Sequence, residues 1–162
     1  MSNNVHVIRL RGPWWWAASV ADGSSVPVRI NFGATAAEIC QSDVWFGRNF
    51  NTPSGLSRFT KVHLVIDQVE CLRAVEIDGA EIWSAESGGG PAHAVHSRDT
   101  PNPDACGPSP PRLRLDLSQI FRDSKSLQAH ALRLHVQYPA PQHPRLTGSV
   151  ALEIEETGNL PQ

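Results

Sequence analysis

The chain has 162 residues, a formal net charge of −2 and an ordinary apolar content of 40%, which suits a single domain with its own core. The near-neutral charge predicts no basic face, so we expect neither nucleic acid nor a membrane as a partner. No apolar run is typical of a signal peptide and none is long enough to span a bilayer, so we expect a cytoplasmic protein.

Apolar and polar residues alternate along most of the chain, which is typical of strands with one buried face. The first run covers residues 5–10. After a bend at Gly12-Pro13, Trp14 and Trp16 must share one face of a strand and Trp15 the other. Two further runs then place their apolar residues on one face each: Val26, Val28, Ile30 and Phe32, followed by Val44, Phe46 and Phe50, with Trp45 on the reverse.

The later runs are clearer. Val62, Leu64 and Ile66 alternate with His63 and Asp67, and Asp78-Gly79 between two apolar runs is a strong hairpin signal, because both turn positions need positive φ. Three more alternating runs cover residues 113–117, 132–138 and 150–154, and residues 118–127 indicate a turn or short helix. About eight strands predict an all-β fold, a two-sheet antiparallel β-sandwich of the jelly-roll type.

A Pro/Gly-rich insert at residues 84–111 interrupts the strands and is too long for an ordinary turn. We therefore interpret residues 1–162 as a single β-sandwich domain with one long loop. That loop is either disordered, a passive cover over a sheet, or a binding element. Cys40, Cys71 and Cys106 lack C-x-x-C spacing. We expect Cys40 and Cys71 to be small buried hydrophobes in a reduced setting.

Outward tryptophans are candidates for carbohydrate binding, because the C–H faces of sugars stack on indole rings. The predicted ligand-binding residues are Trp45 and Trp83, Asp78 in the hairpin, and His93 and His96 in the insert. The alternative is that the sandwich core or the insert covers the tryptophans, since Trp is highly buried on average.

We predict no transition-metal site and no resident cofactor. The spacing of His93 and His96 would suit a metal only on a helix, and a Pro/Gly-rich loop fixes no such geometry. Asp99 and Asp104 are weak candidates for a structural calcium ion. We also predict no catalytic residue, because the sequence has no nucleophile elbow, P-loop or dinucleotide fingerprint. Acidic residues near its strand ends are typical of solvated hairpins.

A polar stripe is predicted on the strands that follow the insert. Its basic members are Arg112, Arg114, Arg133 and His135. We expect them to pair across strands with Glu153, Glu155 and Asp116.

The order of several motifs resembles the sugar-binding domain that precedes the catalytic barrel in glycoside hydrolase family 2. The opening strand of that domain is similar to Ile8-Arg9-Leu10-Arg11-Gly12-Pro13-Trp14 of this chain. Its strand with an aromatic-x-Arg-x-Phe pattern is similar to Phe46-Gly47-Arg48-Asn49-Phe50. Its Val-x-Val-Asn-Gly hairpin is similar to Val75-Glu76-Ile77-Asp78-Gly79, and its Asp-Ile-Thr turn to Leu115-Asp116-Leu117-Ser118. Residues 62–69 and 131–136 resemble two of its core strands.

The resemblance implies a galactose-binding-like jelly roll. The catalytic carboxylates of that family lie on a separate barrel, so it does not imply catalysis for these residues. The chain also resembles small stand-alone proteins of planctomycete-type bacteria that carry this domain alone. We therefore expect a non-catalytic module that binds carbohydrate. The alternative is a protein-interaction or oligomerisation module whose partner is another chain, and an enzyme built on the insert is a third, minor reading.

Overall fold

The fold is described from a computed structural model of the chain, which describes residues 4–18, 26–30, 42–86, 112–123, 128–139 and 145–156. These residues form ten strands and one short helix. In chain order they are β1 (Asn4–Arg9), β2 (Trp14–Ala18), β3 (Val28–Ile30), β4 (Asp43–Asn51), β5 (Thr60–Asp67), β6 (Leu72–Ile77), β7 (Ala80–Ser84), β8 (Arg112–Asp116), α1 (Ser118–Asp123), β9 (Ala129–Gln137) and β10 (Ser149–Glu156).

The strands form two antiparallel sheets that pack face to face. The four-stranded sheet has the order β1-β10-β5-β8, and the six-stranded sheet has the order β3-β2-β4-β9-β6-β7. Strands with one apolar face bury that face most simply against a second sheet. The predicted all-β, two-sheet antiparallel sandwich is confirmed.

The core lies where the predicted faces meet. Leu64 on β5 and Leu132 and Leu134 on β9 are fully buried, because alternation turns them towards the opposite sheet. The predicted face of β4 is also confirmed: Val44, Phe46 and Phe50 are core residues, and Asn49 is exposed on the reverse.

The three adjacent tryptophans divide as predicted. Trp14 is fully buried and Trp16 packs against the core from the same face. Trp15 lies on the outer face of the six-stranded sheet, over Gly47 of the paired strand. A Cβ atom at Gly47 would lie 1.9 Å from the indole. The position of Trp15 therefore requires glycine beneath it.

The apolar face predicted for residues 26–32 is only partly buried. Val26 and Val28 are 80% and 45% exposed, and Ile30 alone of the described residues in this run packs against the core. The strand β3 is short and lies at the sheet edge, where the core no longer covers Val28 or the preceding Val26. Phe32 and the helical turn predicted at 34–40 lie outside the described residues.

The connections agree with the sequence where they are described. Asp78 and Gly79 both have positive φ, 53° and 80°, as the predicted hairpin requires. The helix α1 is the short element predicted after β8. No helix among the described ranges is long and apolar enough to cross a membrane. The insert is described only from Ser84 to Glu86, and the rest of it falls outside the described ranges.

Cys71 is buried, as predicted, but it is disulfide-bonded. The expectation of a free thiol at this position is therefore wrong. Periodicity reveals that a cysteine is buried, but it carries no information about a second sulfur nearby. Cys40 and Cys106 lie outside the described residues.

The cross-strand ion pairs predicted with Glu153 and Glu155 form on the outer face of the four-stranded sheet, whereas Asp116, the third predicted partner, takes part in none of the ion pairs between described residues. Arg112 pairs with Glu153, and Arg114 pairs with both Glu153 and Glu155. The other two basic residues of the predicted stripe lie in the opposite sheet. There Arg133 pairs with Glu76 and His135 with Asp43, so the predicted partners were wrong for these two.

His63 lies within this charged face. It stands between Glu153 and Asp116 in strand register and is 9% exposed. Burial lowers the pKa of His63 below its ordinary value, and the nearby Arg114 lowers it further, against the opposing effect of the carboxylates. The neutral imidazole is therefore the form that suits the folded state.

We expect His63 to make folding stability depend on pH. Its folded-state pKa is depressed, so its contribution is complete above about pH 6.5 and is lost as the pH falls further. The free energy of unfolding, measured with urea, should drop between pH 7 and pH 5, and drop less in His63→Gln. His6→Gln, at an exposed position of β1, should follow the wild-type profile. Equal slopes in all three proteins would contradict the assignment.

A glycine before β10 permits a close backbone approach. Gly148 has a φ of 73°, and a Cβ atom there would lie 2.0 Å from the carbonyl oxygen of Asp67. Thr147 Oγ1 fixes the same approach by donating to the carbonyl of Gln68 at 3.1 Å. Gly55 has a similar φ of 78°, but open space surrounds its missing side chain.

The two glycines provide a matched test of steric contact. Gly55→Ala should cost only the left-handed backbone penalty, about 1–2 kcal/mol. Gly148→Ala adds a clash with backbone atoms, so we expect a loss above about 3 kcal/mol. Urea unfolding of both variants measures the difference, and similar losses would show that the loop relaxes.

Candidate functional site

The candidate site lies at one end of the sandwich, where the chain crosses twice between the sheets. The first crossing, residues 52–59, leads from β4 to β5. The second contains α1 and leads from β8 towards β9. A cavity of about 490 Å³ lies between these crossings. A second cavity, of about 520 Å³, lies at the opposite end beside Arg9 and Gly148.

Both polar and apolar side chains line the cavity between the crossings. Five hydroxyl side chains line it: Thr52, Ser54, Ser57, Thr60 and Ser118. Leu56, Val62 and Phe121 supply apolar surface, and two arginines, Arg58 and Arg122, complete the side-chain character of the lining. The described lining contains no carboxylate.

The first crossing is shaped by a local hydrogen-bonded turn. The backbone N–H of Thr60 donates to the carbonyl of Ser57 at 3.1 Å, and the N–H of Ser57 donates to Thr60 Oγ1 at 2.9 Å. The N–H of Phe59 donates to Ser57 Oγ at 3.2 Å. Arg58 lies with its guanidinium carbon 4.6 Å from the centre of the Phe59 ring. Side-chain bonds of this kind hold serine-rich turns in one conformation.

The second crossing is fixed to the sheets at its first residue. Ser118 Oγ accepts a bond from the N–H of Val62 at 3.0 Å, and the N–H of Ser118 donates to Asp116 Oδ1 at 2.8 Å. Burial, the largest single influence, would raise the pKa of Asp116, but the hydrogen bonds from Ser118 together with the nearby His63 and Lys61 outweigh it and lower that pKa below its ordinary value. Phe121 then packs edge-on against Phe50, with ring centres 6.1 Å apart.

A hydrogen-bonded chain of three side chains lies behind the cavity wall. Thr52 Oγ1 is 3.0 Å from His130 Nε2, and His130 Nδ1 is 2.7 Å from Asp78 Oδ2. The other carboxylate oxygen of Asp78 accepts from the N–H of Ala131 at 2.8 Å. Thr52 Oγ1 is also 3.2 Å from the carbonyl of Gln128. We call these three residues, Thr52, His130 and Asp78, the clamp.

A hydroxyl, an imidazole and a carboxylate in this order also occur in nucleophilic catalysis. Here the imidazole is 1% exposed and Thr52 is 8% exposed, and the carboxylate is shared with the backbone of β9. These contacts join the end of β4, the start of β9 and the hairpin after β6. We therefore interpret the clamp as a structural device that satisfies a buried histidine.

Of the predicted ligand-binding residues, the three that lie in the described ranges, Trp45, Asp78 and Trp83, do not meet in one site. Asp78 belongs to the clamp. Trp83 is 6% exposed and lies in the core, so of the two expectations for this indole, an outward platform or a position covered by the core, the second is the one observed. A β-bulge between Val75 and Glu76 shifts the hairpin register and sets Trp83 opposite Val75, and a shift by one residue exchanges the faces of a strand.

Trp45 lies on the outer face of the six-stranded sheet, as predicted. Its ring stacks on His135 with centres 4.6 Å apart, and the guanidinium carbon of Arg133 lies 4.5 Å from it. Trp45 faces His135 near the end of β9, whereas the clamp lies at its start. Protein groups thus already occupy positions over this indole.

The predicted residues of the insert, His93, His96, Asp99 and Asp104, lie outside the described residues. Within the described ranges no group of three or more histidine, cysteine, aspartate or glutamate side chains is arranged to hold a metal ion. The calcium candidates therefore stay predictions.

Sequence reasoning missed the cavity because its two walls are far apart in the chain. The only signal in the sequence was that residues 52–59 and 118–123 interrupt the apolar-polar alternation, each directly after a run that is predicted to be a strand. Topology decides that these two interruptions lie at the same end of the sandwich. Arg58 and Arg122 acquire a common environment only from that arrangement.

The clamp predicts a specific pattern of stability. Asp78→Gly keeps the positive φ but removes the acceptor of the buried His130 Nδ1, so we expect a loss of about 1–3 kcal/mol. Asp78→Asn also tolerates this φ, retains an acceptor for Ala131, and lets the imidazole take its other tautomer. It should lose less than about 1 kcal/mol. Urea unfolding measures the free energy of unfolding of both variants. Equal losses of stability would contradict the role assigned to the Asp78 side chain as the partner of His130.

No family model and no curated protein matches the chain. Solved structures do match it. A β-glucuronidase from Ruminococcus gnavus has a TM-score of 0.64 at 14% identity, over 96% of this chain and 29% of that one. The same enzyme with D-glucuronic acid also scores 0.64 at 14% identity, over 96% of this chain and 30% of that one.

An FMN-binding β-glucuronidase from Faecalibacterium prausnitzii L2-6 has a TM-score of 0.63 at 11% identity, over 94% of this chain and 23% of that chain. The chain thus spans less than a third of the length of these neighbours. Likeness at such identity concerns the fold. The chain has a β-sandwich fold that forms one part of β-glucuronidases of glycoside hydrolase family 2.

Proposed function

We propose that this domain binds carbohydrate in the cavity between the two crossings, without chemistry of its own. The observation that carries the proposal is the lining of that cavity, which combines four hydroxyl side chains outside the clamp, Ser54, Ser57, Thr60 and Ser118, with the apolar side chains of Leu56, Val62 and Phe121. A sugar presents the same combination, with hydroxyls around its edge and C–H groups on its faces. A concave site with a few placed polar groups is the usual form of a small-ligand site.

The way the walls are held supports binding. Ser57, Thr60 and Ser118 are each fixed by hydrogen bonds to backbone N–H groups, so their hydroxyl oxygens have set positions before a ligand arrives. Ser54 and Ser57 are exposed and can exchange water for sugar hydroxyls. A site that is already ordered loses less entropy when a ligand binds.

The absence of chemistry is part of the proposal and rests on two observations. The clamp is the one described arrangement that resembles a nucleophile with its base, and its polar atoms are engaged in joining strands. The solved neighbours are enzymes, but the chain covers less than a third of them. The family resemblance places their catalytic carboxylates on a barrel that these residues do not form.

Several finer features stay predictions within this proposal. They are the galactose-binding-like jelly-roll type, action as a stand-alone domain as in the planctomycete-type proteins, and a structural calcium ion. A cytoplasmic location also stays a prediction. The disulfide at Cys71 is more typical of an oxidising compartment.

A second candidate function is association with another chain through a sheet edge. Among the described strands β1 pairs with β10 alone, and its Val5 and Val7 are 44% and 47% exposed. An open edge with exposed apolar side chains is able to add a further strand.

Filling the cavity should abolish carbohydrate binding. Ser54 is exposed, lines the cavity and tolerates a larger side chain without loss of the core. The glycan to use is one that raises the melting temperature of the wild type. We expect Ser54→Trp to weaken the affinity for that glycan about ten-fold or more. Isothermal titration and thermal shift with the full chain measure this change.

Ser149→Trp is the matched control, because Ser149 lines the cavity at the opposite end. It should bind as the wild type does. Loss of binding in Ser149→Trp but not in Ser54→Trp would show that the glycan binds in the cavity at the opposite end of the sandwich. Failure of the wild type to respond to a broad glycan panel, together with a dimer in light scattering, would overturn the proposal and favour the sheet edge.

A further inference from the structure

The four edge strands in the described part of the sandwich differ in how open they are to a further strand. An edge exposes unpaired N–H and C=O groups, and proteins guard it with short strands, charged side chains or bulges. The edge strand β3 has only three residues, β7 meets its neighbour at a bulge, and β8 carries three charged residues among its five. The strand β1 has none of these features in residues 4–8, and it pairs with β10 over six residues without a bulge.

The hydrogen bonds to β10 indicate which backbone groups of β1 face the open edge. The N–H of Leu10 donates to the carbonyl of Val150 at 2.8 Å, in the same register as the ladder between β1 and β10. In an antiparallel pair, residues that direct both backbone groups at the neighbouring strand alternate with residues that direct both away from it. Val5, Val7 and Arg9 therefore direct their N–H and C=O groups at the open edge.

Two of these three residues keep both groups free for a further strand. The carbonyl of Arg9 accepts a bond from the N–H of Arg11 at 3.1 Å, which leaves Val5 and Val7 with a donor and an acceptor each. Their side chains are 44% and 47% exposed and lie beside glutamates of β10 in the register. A strand that pairs with this edge would satisfy the backbone groups and cover both valines.

The open edge is complementary to itself in one register. When Val5 of one copy faces Val7 of a second copy, the two residues exchange both hydrogen bonds, and a two-fold axis repeats the pair. The four valine side chains then meet in two cross-strand contacts, and the two copies of His6 face each other at the axis. A shift by two residues sets Val5 opposite Arg9, whose carbonyl is already engaged.

We infer that β1 is a dimerisation edge, which pairs antiparallel with β1 of a second copy of this chain and joins two four-stranded sheets into one. Because the edge complements itself, a second copy supplies every donor and acceptor that it lacks. This inference rests on the second candidate function, to which it gives a partner and a register. It does not depend on carbohydrate binding, since β1 is not part of the described lining of the cavity between the crossings.

Sedimentation equilibrium of the full chain over a wide range of protein concentrations tests the dimer. The wild type should show an equilibrium between monomer and dimer. Val7→Pro removes an N–H that faces the open edge and leaves the hydrogen bonds to β10 in place, so the dimer dissociation constant should rise about ten-fold or more. Val26→Lys is the control, because Val26 is 80% exposed but lies outside β1. It should dimerise as the wild type does.

Oxidative cross-linking tests the register. In the inferred pair the Cα atoms of the two copies of residue 6 are about 4.5 Å apart, which a disulfide can span. His6→Cys should therefore form a covalent dimer. The two copies of residue 7 are diagonal neighbours about 7–8 Å apart, so Val7→Cys should form little beyond the background of the wild type, which has three cysteines of its own. Cross-linking of Val7→Cys in place of His6→Cys would overturn the register.

A wild type that stays monomeric at every concentration would overturn the inference, and so would a dimer that Val7→Pro leaves intact. If Val7→Pro lowers the Tm of the monomer, Val7→Lys replaces it, because a lysine on an edge strand also opposes pairing. Glycan titration of the same variants distinguishes the two proposals. Loss of the dimer with unchanged glycan affinity is the expected result, whereas a chain that dimerises but binds no glycan would overturn carbohydrate binding alone.

Discussion

Burial of alternate side chains between β5 and β9 is the interaction on which the other features depend. Leu64, Leu132 and Leu134 are removed from water entirely, and each fully buried aliphatic side chain contributes about 1.5–3 kcal/mol. The chain passes repeatedly from one sheet to the other as it builds this core. The cavity lies between two of those crossings, so its position follows from the topology of the sandwich.

The clamp shows how the end of such a core is closed. Strand ends leave backbone and side-chain polar groups near apolar residues, where an unpaired group is costly. Thr52, His130 and Asp78 solve this by bonding to each other and to the backbone. The edges of Phe121 and the ring of Phe50 pack around the imidazole. Hydrogen bonds between polar side chains therefore order the wall behind the cavity.

The fold was predictable from the sequence to a large extent because period-2 alternation is a local property. It identified the buried faces of β4, β5, β8, β9 and β10, and the Asp-Gly pair identified a turn. The prediction failed where a bulge shifts the alternation by one residue and where a strand lies at the edge of its sheet. The bulge in the hairpin carried Trp83 into the core, and the sheet edge left Val28 in solvent.

The candidate site was predictable to a much smaller extent, because it is a property of topology. Asp78 was identified as a polar residue of interest, but its partners, Thr52 and His130, are distant in sequence. Nothing in the pattern around Arg58 or Arg122 indicates that the two share a cavity. Such a site requires knowledge of which strand ends coincide, and that depends on the strand order within each sheet.

The contact between Trp15 and Gly47 has a consequence for how this sequence can change over evolution. The indole fills the space above Gly47 that any larger residue would need, so residue 47 cannot become larger while Trp15 stays. A larger residue at position 47 must be accompanied by a smaller one at position 15, on an adjacent strand that is distant in the chain. In an alignment of sequences related to this one, positions 15 and 47 should therefore vary together. A larger residue at position 47 should occur with a smaller residue at position 15.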